Sequence, residues 1–314
     1  MRFRTDLALE AREMIDENKS RKMLTSDNLP DGMEVTTTEK NYLTVTKICV
    51  ATQNAADAIG KKQGDYITLE LKSPTLNTLS IHKEVASTIA SCLEPLLHEI
   101  NKPDPSIIVV GLGNRNITPD SLGPKVVDKI VVTRHIKSNA QYKDNIDKRL
   151  GMVSAVAPGV MGTTGIETGE ILKGLLEKAG PDIVLVIDAL CARKINRVNT
   201  TIQISTGGIV PGSGVGNHRM ELSEDTLGIP VIAIGVPTVV DCVTIVRDIL
   251  EQVEGSEIED DIIKNIADTG AGNMVVTPKD IDSGIDRMSI AISNGINLAI
   301  HKGFDFGDIS EYLI

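Results

Sequence analysis

Aromatic residues are scarce in this chain: they make up 2% of its 314 residues, and tryptophan is absent. A buried core must therefore consist mainly of Ile, Val, Leu and Ala. The four cysteines are scattered along the chain without a C-x-x-C pair, at Cys49, Cys92, Cys191 and Cys242. Their spacing predicts reduced thiols and argues against a disulfide framework or a zinc site. No apolar run approaches the length of about 18 residues that predicts a membrane span.

Positive charge is also in short supply. Lys and Arg number 32 against 43 Asp and Glu, so the formal net charge is −11 and the isoelectric point is near 5.0. A protein that binds nucleic acid by neutralising its backbone is expected to be basic, and we therefore expect no direct nucleic-acid partner. The composition is typical of a cytoplasmic protein without a membrane partner.

Apolar segments alternate with helical patterns along most of the chain. Strands are predicted at 107–112, 182–188 and 230–237, and a helix is expected for "ALCARK", directly after the second of these. "LALEAREMIDE" has the spacing of a first helix, and 254–273 is expected to be a short surface excursion. This order predicts an α/β fold, with a mostly parallel open sheet and helices on both faces.

Two aspartates occur where predicted strands end. Asp120 follows the first strand in "GLGNRNITPDSLGP", and Asp188 ends the apolar run of "VLVIDALCAR". In open α/β sheets, ligands bind beyond the carboxyl ends of the strands. An Asp at such a position can also be a helix cap or a turn former. Asp188 would enter a buried sheet, so it needs a partner, such as Arg193, or a raised pKa.

Glycine-rich loops are predicted at the same edge of the sheet. "GLGNRN" lacks the third glycine of a dinucleotide fingerprint, so a tight strand exit and a phosphate-binding loop both remain open. Glycine also lets a backbone approach a bound peptide strand. The candidate substrate-loop residues are Gly111, Gly113, Asn114, Gly159, Gly162, Gly212, Gly214 and Gly216. The five histidines show no metal-ligand spacing, and we expect neither a metal nor another cofactor.

Several long blocks resemble one family over nearly the whole chain. They include "RTDLALEARE", "VVGLGNRNITPDSLGPKVVDKIVVTRH", "PGVMGTTGIETGE", "VIDALCAR" and "DTLGIPVIAIGVPTVVD". These blocks are similar to those of the spore germination proteases. The resemblance implies an endopeptidase that degrades small acid-soluble spore proteins in the spore core, a homotetramer, and a fold similar to the hydrogenase-maturation proteases. The two aspartates of the family map onto Asp120 and Asp188, which the resemblance implies are catalytic.

The resemblance also implies a zymogen that removes its own N-terminus. The family cuts after an acidic residue and before a large apolar residue followed by Ala, and Asp6, Leu7 and Ala8 have these properties. We therefore expect self-cleavage between Asp6 and Leu7, with residues 1–6 as a propeptide and 7–314 as a single α/β protease domain. The alternative is that "LALEAREMIDE" is simply the first helix, with Thr5 or Asp6 as its cap.

Two carboxyl groups that face each other share a proton, and the ionised one can activate water for attack on a peptide bond. This acid-pair mechanism has three rivals. The same edge could hold a metal-dependent peptidase, the glycine loops could belong to a nucleotide-binding regulatory module, or the chain could be a non-catalytic scaffold.

Overall fold

The computed structural model describes residues 5–21, 29–73, 76–139, 146–213, 219–254 and 260–313. Nine strands of this part of the chain form one sheet, in the order β1-β2-β3-β7-β8-β6-β4-β5, with β9 paired to β8. The strands are Met33–Glu39 (β1), Leu43–Val50 (β2), Gly64–Leu71 (β3), Ser106–Gly111 (β4), Met152–Val156 (β5), Ile183–Ala192 (β6), Thr201–Ser205 (β7), Val231–Asp241 (β8) and Val275–Val276 (β9).

Helices occupy most of the connections between these strands. They are Ala8–Arg21 (α1), Gln53–Ile59 (α2), Leu79–His98 (α3), Leu122–Val127 (α4), Arg134–Lys137 (α5), Met161–Thr164 (α6), Thr168–Ala179 (α7), Glu224–Leu227 (α8), Cys242–Glu254 (α9), Asp260–Asp268 (α10), Ile281–Ile300 (α11) and Phe306–Tyr312 (α12). The predicted first helix is α1. Among the described helices, none is long and apolar enough to cross a membrane.

The sheet has a parallel half and an antiparallel half. β4 is parallel to both β5 and β6, and β6 is parallel to β8. The pairings β1–β2, β2–β3, β3–β7, β7–β8 and β8–β9 are antiparallel. The sheet is therefore mixed, whereas we had expected a mostly parallel one. Short connections such as 40–42, between β1 and β2, reverse the chain directly, and such links join antiparallel neighbours.

The two faces of the parallel half are covered by different helices, which confirms the predicted α/β class. Ile107 and Val109 of β4 point into a cluster with residues of α3, α4 and α11. Ile108 and Val110, which alternate with them, point into a cluster with Leu172 of α7. This alternation has the period of two that a strand requires, and each face buries a run of branched apolar side chains.

Strand β6 is longer than the sequence pattern predicted. The segment "ALCA", expected to begin a helix, continues β6 as far as Ala192. It does so because Ala189 to Ala192 pair with β8, with a bulge between Leu190 and Cys191. Tertiary pairing thus overrides a local sequence that is compatible with a helix.

Beyond Ile187, β6 has no pairing with β4. The last paired residue of β4 is Gly111, opposite Ile187. Residues 188–192 therefore extend past the end of β4, and Asp188 is the first of them. This overhang positions the site described below.

Candidate active site

The chain leaves β4 through two glycines, which have no side chain and so leave room for the backbone of a later segment to pack against them. A Cβ atom on Gly111 would lie 2.2 Å from the carbonyl oxygen of Gly123, and one on Gly113 would lie 2.1 Å from the carbonyl oxygen of Asp120. Gly113 also has φ +105°, a conformation that other residues rarely adopt. The glycines of "GLGNRN" therefore let the segment that carries Asp120 pack directly onto the end of the strand.

Asp120 lies in a single 3-10 turn, Thr118–Asp120, and is half-buried. Its Oδ2 accepts a hydrogen bond from the backbone N–H of Asn114 (2.8 Å). Burial raises the pKa of Asp120, while this hydrogen bond and the positive charge of Arg219 oppose the rise. The loop after β4 thus holds one face of the carboxylate, and the carboxyl group titrates above its ordinary range.

Asp188 is nearly inaccessible, with 5% of its surface exposed. Its Oδ1 accepts from the backbone N–H of Ala189 (2.9 Å). Burial raises the pKa of Asp188 well above its ordinary value, and the negative charge of Asp120 raises it further. A smaller increase comes from Asp6, and Arg219 opposes these effects. The two aspartates are therefore electrostatically coupled, as expected for carboxyl groups that share a site.

One cavity of about 220 Å³ brings these groups together. Asp120 and Asp188 line it, and Gly113, Gly212 and Asp6 line it as well. Of the other predicted loop residues, Asn114 bonds to Asp120 and Gly111 packs against Gly123, but neither lines the cavity. Gly159 and Gly162 do not line it either. Gly214 and Gly216 lie outside the described residues.

The predicted cleavage site lies against the overhang of β6. The backbone N–H of Asp6 donates to the carbonyl oxygen of Cys191 (2.9 Å). Leu7 is completely buried, in a cluster with Leu190, Val198 and Val240. The Asp6–Leu7 peptide bond is thus tied to the strand that carries Asp188.

Four polar residues of this region were missed by sequence reasoning. Arg219 supplies the positive charge beside both aspartates, and Lys61, Gln203 and Ser213 make hydrogen bonds to Asp6. Lys61 precedes β3 and Gln203 belongs to β7, so no sequence spacing connects them with Asp188. Arg193, proposed as a partner of Asp188, forms an ion pair with Asp248 instead (2.9 Å).

The described residues do not form a candidate metal site. In the described ranges, no group of three or more His, Cys, Asp or Glu side chains is placed to hold a metal ion. His301 is fully buried away from the cavity, with its Nδ1 accepting from the backbone N–H of Gly151 (3.1 Å). Among the described residues that line the cavity, the charged side chains are three aspartates, at positions 6, 120 and 188, and Arg219.

A buried and a half-buried carboxyl group with raised pKa values in one cavity are typical of a general acid–base site. The model of the germination protease family matches residues 8–261, and the chain belongs to that family. It is an endopeptidase of spore germination.

The similarity to known germination proteases covers nearly the whole chain. A germination protease of Clostridium perfringens is 44% identical, over 99% of this chain and 98% of its own length. One from Clostridium acetobutylicum is 42% identical with the same coverage, and one from Bacillus cytotoxicus is 38% identical over 98% of this chain and 96% of its own length.

A solved structure with some similarity is a NiFe hydrogenase maturation protease from Thermococcus kodakarensis. It is 13% identical, covers 64% of this chain and 98% of its own, and has a TM-score of 0.31. A similarity of this size supports no conclusion about the site.

Proposed function

We propose that this chain degrades small acid-soluble spore proteins during germination by an acid-pair mechanism, and that it is made as a zymogen that cleaves itself. Asp120 and Asp188 form the catalytic pair. The observation that carries this proposal is their shared cavity, in which the charge of Asp120 contributes to the raised pKa of Asp188.

The mechanism follows from the shared proton. One carboxylate of the pair takes a proton from a water molecule as that water attacks the carbonyl carbon of the peptide bond. The carboxylic acid of the pair donates a proton to the oxyanion or to the leaving amine. The proton belongs to the pair rather than to either residue. Because burial raises both pKa values, the singly protonated pair persists to higher pH than two exposed aspartates would allow.

The test is the isosteric replacement of each member. Asp120→Asn and Asp188→Asn remove the titrating group, so each should reduce cleavage of a small acid-soluble spore protein by about a hundredfold or more. Asp128→Asn is the matched control, because Asp128 pairs with Arg115 at the surface. Circular dichroism and thermal unfolding would confirm that every variant is folded. Near-normal activity in either active-site variant would remove that residue from the mechanism.

A metal-dependent peptidase on the same edge makes the opposite prediction for chelation. An acid pair needs only water and a shared proton, so cleavage should continue in the presence of a strong chelator. Loss of cleavage with the chelator, restored by one particular divalent metal ion, would favour the metal site over the acid pair.

Self-processing is proposed at the bond between Asp6 and Leu7. Residues 1–6 would form the propeptide, and residues 7–314 the protease domain. Asp6 lines the cavity of the pair, which places the segment next to the proposed catalytic groups. The bond is held on both sides, by the hydrogen bond from Asp6 to Cys191 and by the burial of Leu7. The segment must leave this position before it can be cut, which suits a precursor that is processed slowly.

N-terminal sequencing tests this step directly. After mild acidification, the wild-type product should begin at Leu7, and the Asp120→Asn protein should keep its full length. An activated protein that still begins at Met1 would refute self-processing at this bond and leave the acid pair untouched.

The proposed partners are the small acid-soluble spore proteins as substrates and three further copies of the chain in a homotetramer. Direct binding to DNA is not part of the proposal, since the chain has a net charge of −11. A mobility-shift assay at physiological salt should show no complex with bare duplex. Sedimentation velocity would test the tetramer.

A further inference from the structure

Glu10 binds the residues that follow the overhang of β6. Its side chain is fully buried. Its Oε2 accepts a hydrogen bond from the backbone N–H of Arg193 (2.6 Å), and its Oε1 accepts one from the backbone N–H of Lys194 (2.9 Å). The guanidinium of Arg197 lies 3.4 Å from Oε1. A carboxylate inside a protein needs such partners, because an unpaired buried charge is costly.

A further donor to Glu10 belongs to the segment ahead of the proposed cleavage site. The hydroxyl of Thr5 donates to Oε2 of Glu10 and accepts a hydrogen bond from the backbone N–H of Leu7 (3.0 Å). One hydroxyl group thus links the nitrogen of Leu7 to the carboxylate of Glu10. Cleavage between Asp6 and Leu7 would remove Thr5, so this nitrogen would lose its acceptor and the carboxylate would lose a donor.

The same cleavage changes the chemistry of the nitrogen of Leu7. The bond between the carbonyl carbon of Asp6 and the nitrogen of Leu7 breaks. The hydroxyl of the attacking water forms a carboxyl group on Asp6, and the other proton of that water goes to the nitrogen. The new carboxyl group releases a proton at neutral pH, and the new amine takes one up. A neutral N–H group therefore becomes a cation with three donors.

Leu7 lies where this cation can reach Glu10. Leu7 directly precedes α1, and Glu10 is the third residue of that helix. At this spacing a Glu side chain hydrogen-bonds back to the nitrogen of the residue in front of the helix. The side chain of Leu7 is completely buried in a cluster of apolar residues, which would hold the new terminus in place after residues 1–6 have left.

The surroundings make a paired carboxylate necessary. The start of α1 is the positive end of its helix dipole, which disfavours a cation there. Lys61 and Arg197 already contribute positive charge near Glu10, and departure of Asp6 removes a negative charge from beside Lys61. An ammonium group at Leu7 therefore needs an anion within reach, and the carboxylate that Thr5 links to this nitrogen is Glu10.

We propose that Glu10 forms the binding site for the α-ammonium group that cleavage creates on Leu7. In the precursor, the hydroxyl of Thr5 occupies this site. In the processed chain, the ammonium group takes its place and forms an ion pair with Glu10. Because Glu10 also binds the backbone of Arg193 and Lys194, the ion pair fastens the start of α1 to the end of β6. This inference rests on the proposed cleavage between Asp6 and Leu7.

Competitive acetylation with acetic anhydride measures the new amino group directly. The chain is produced behind a removable fusion partner, so that a separate protease leaves Leu7 as the first residue. A second chain carries one Gly before Leu7, which displaces the ammonium group from Glu10. An ion pair favours the protonated amine, which does not react. Acetylation of the α-amino group at pH 7, relative to that of the lysines, should therefore be at least tenfold slower in the chain that begins at Leu7. Equal rates in the two chains would overturn the site.

Substitution of Glu10 identifies the partner of the ammonium group. In the chain that begins at Leu7, Glu10→Gln should be acetylated as fast as the chain with the added Gly. Glu13→Gln is the matched control, because Glu13 lies on the same helix but pairs with Arg197 (2.6 Å) and Lys194 (2.8 Å). This control should keep the slow acetylation. Slow acetylation in Glu10→Gln would refute the role of Glu10.

Unfolding in urea separates the ion pair from a general loss of structure. Glu10→Gln should raise the unfolding equilibrium constant in both chains, because both lose hydrogen bonds to the end of β6. The increase should be at least tenfold larger in the chain that begins at Leu7 than in the chain with the added Gly, since only the former has the ion pair. Equal increases, or failure of the chain that begins at Leu7 to fold, would overturn the inference.

These measurements do not depend on self-cleavage or on hydrolysis of a substrate. Slow acetylation in a chain that cleaves neither itself nor a spore protein would support the ammonium site and refute the proposed peptidase. Fast acetylation in a chain that processes itself to Leu7 and cleaves a spore protein would refute the ammonium site and leave the peptidase proposal standing.

Discussion

Replacement of Gly113 by Ala tests whether the end of β4 positions Asp120 for catalysis. The added methyl group would lie 2.1 Å from the carbonyl oxygen of Asp120 and 2.9 Å from its Oδ1. Since an ordinary contact is about 3.5 Å, the backbone of Asp120 must move by about 1 Å or more. A displacement of that size can reduce turnover about a hundredfold. The φ of +105° adds strain of about 1–3 kcal/mol for any residue other than glycine.

The assay compares Gly113→Ala with Gly174→Ala. Gly174 lies within α7, and a Cβ there meets nothing within 4 Å, so alanine should raise the free energy of unfolding by about 0.5–1 kcal/mol without changing turnover. For Gly113→Ala, we expect a lower free energy of unfolding in urea and a kcat about a hundredfold lower on a spore-protein substrate. Wild-type kcat in Gly113→Ala would refute the idea that this contact holds Asp120 in its working position.

Three further predictions concern stability. The folded-state pKa of Asp188 is raised, so its ionisation destabilises the fold as pH rises above the unfolded-state pKa; Asp188→Asn should therefore be more stable than wild type at neutral pH, and a less stable variant would contradict this. Burial lowers the pKa of His301 from 6.5 to about 4, so on acidification the unfolded chain takes up the proton first. The free energy of unfolding should therefore fall by about 3 kcal/mol as the pH is lowered from 6.5 to 4. A His301→Gln variant should lack that part of the fall in urea titrations. Glu10 is fully buried and accepts hydrogen bonds from the backbone N–H groups of Arg193 (2.6 Å) and Lys194 (2.9 Å). Glu10→Gln should therefore lower the free energy of unfolding by about 1.5–3 kcal/mol and speed amide exchange in α1. Unchanged exchange would refute this role.

Several features followed from local sequence patterns. The apolar runs before Asp120 and Asp188 predicted β4 and the start of β6, and the spacing of "LALEAREMIDE" predicted α1. Two aspartates at the carboxyl ends of adjacent parallel strands then had to lie at one edge of the sheet. These predictions succeeded because strand burial and helix periodicity are properties of a few consecutive residues.

The antiparallel half of the sheet and the extension of β6 were decided by tertiary structure. "ALCA" is compatible with a helix, and only its pairing with β8 makes it a strand. The contacts of Asp6 likewise join residues far apart in the chain, from Lys61 through Gln203 to Ser213. A hydrogen bond of this kind depends on where two folded segments meet, and no spacing within either segment records it. The sequence by itself determined that one acid follows β4 and the other lies in β6, and only the folded sheet, with β6 extending past β4, brought Asp6 into the cavity that they share.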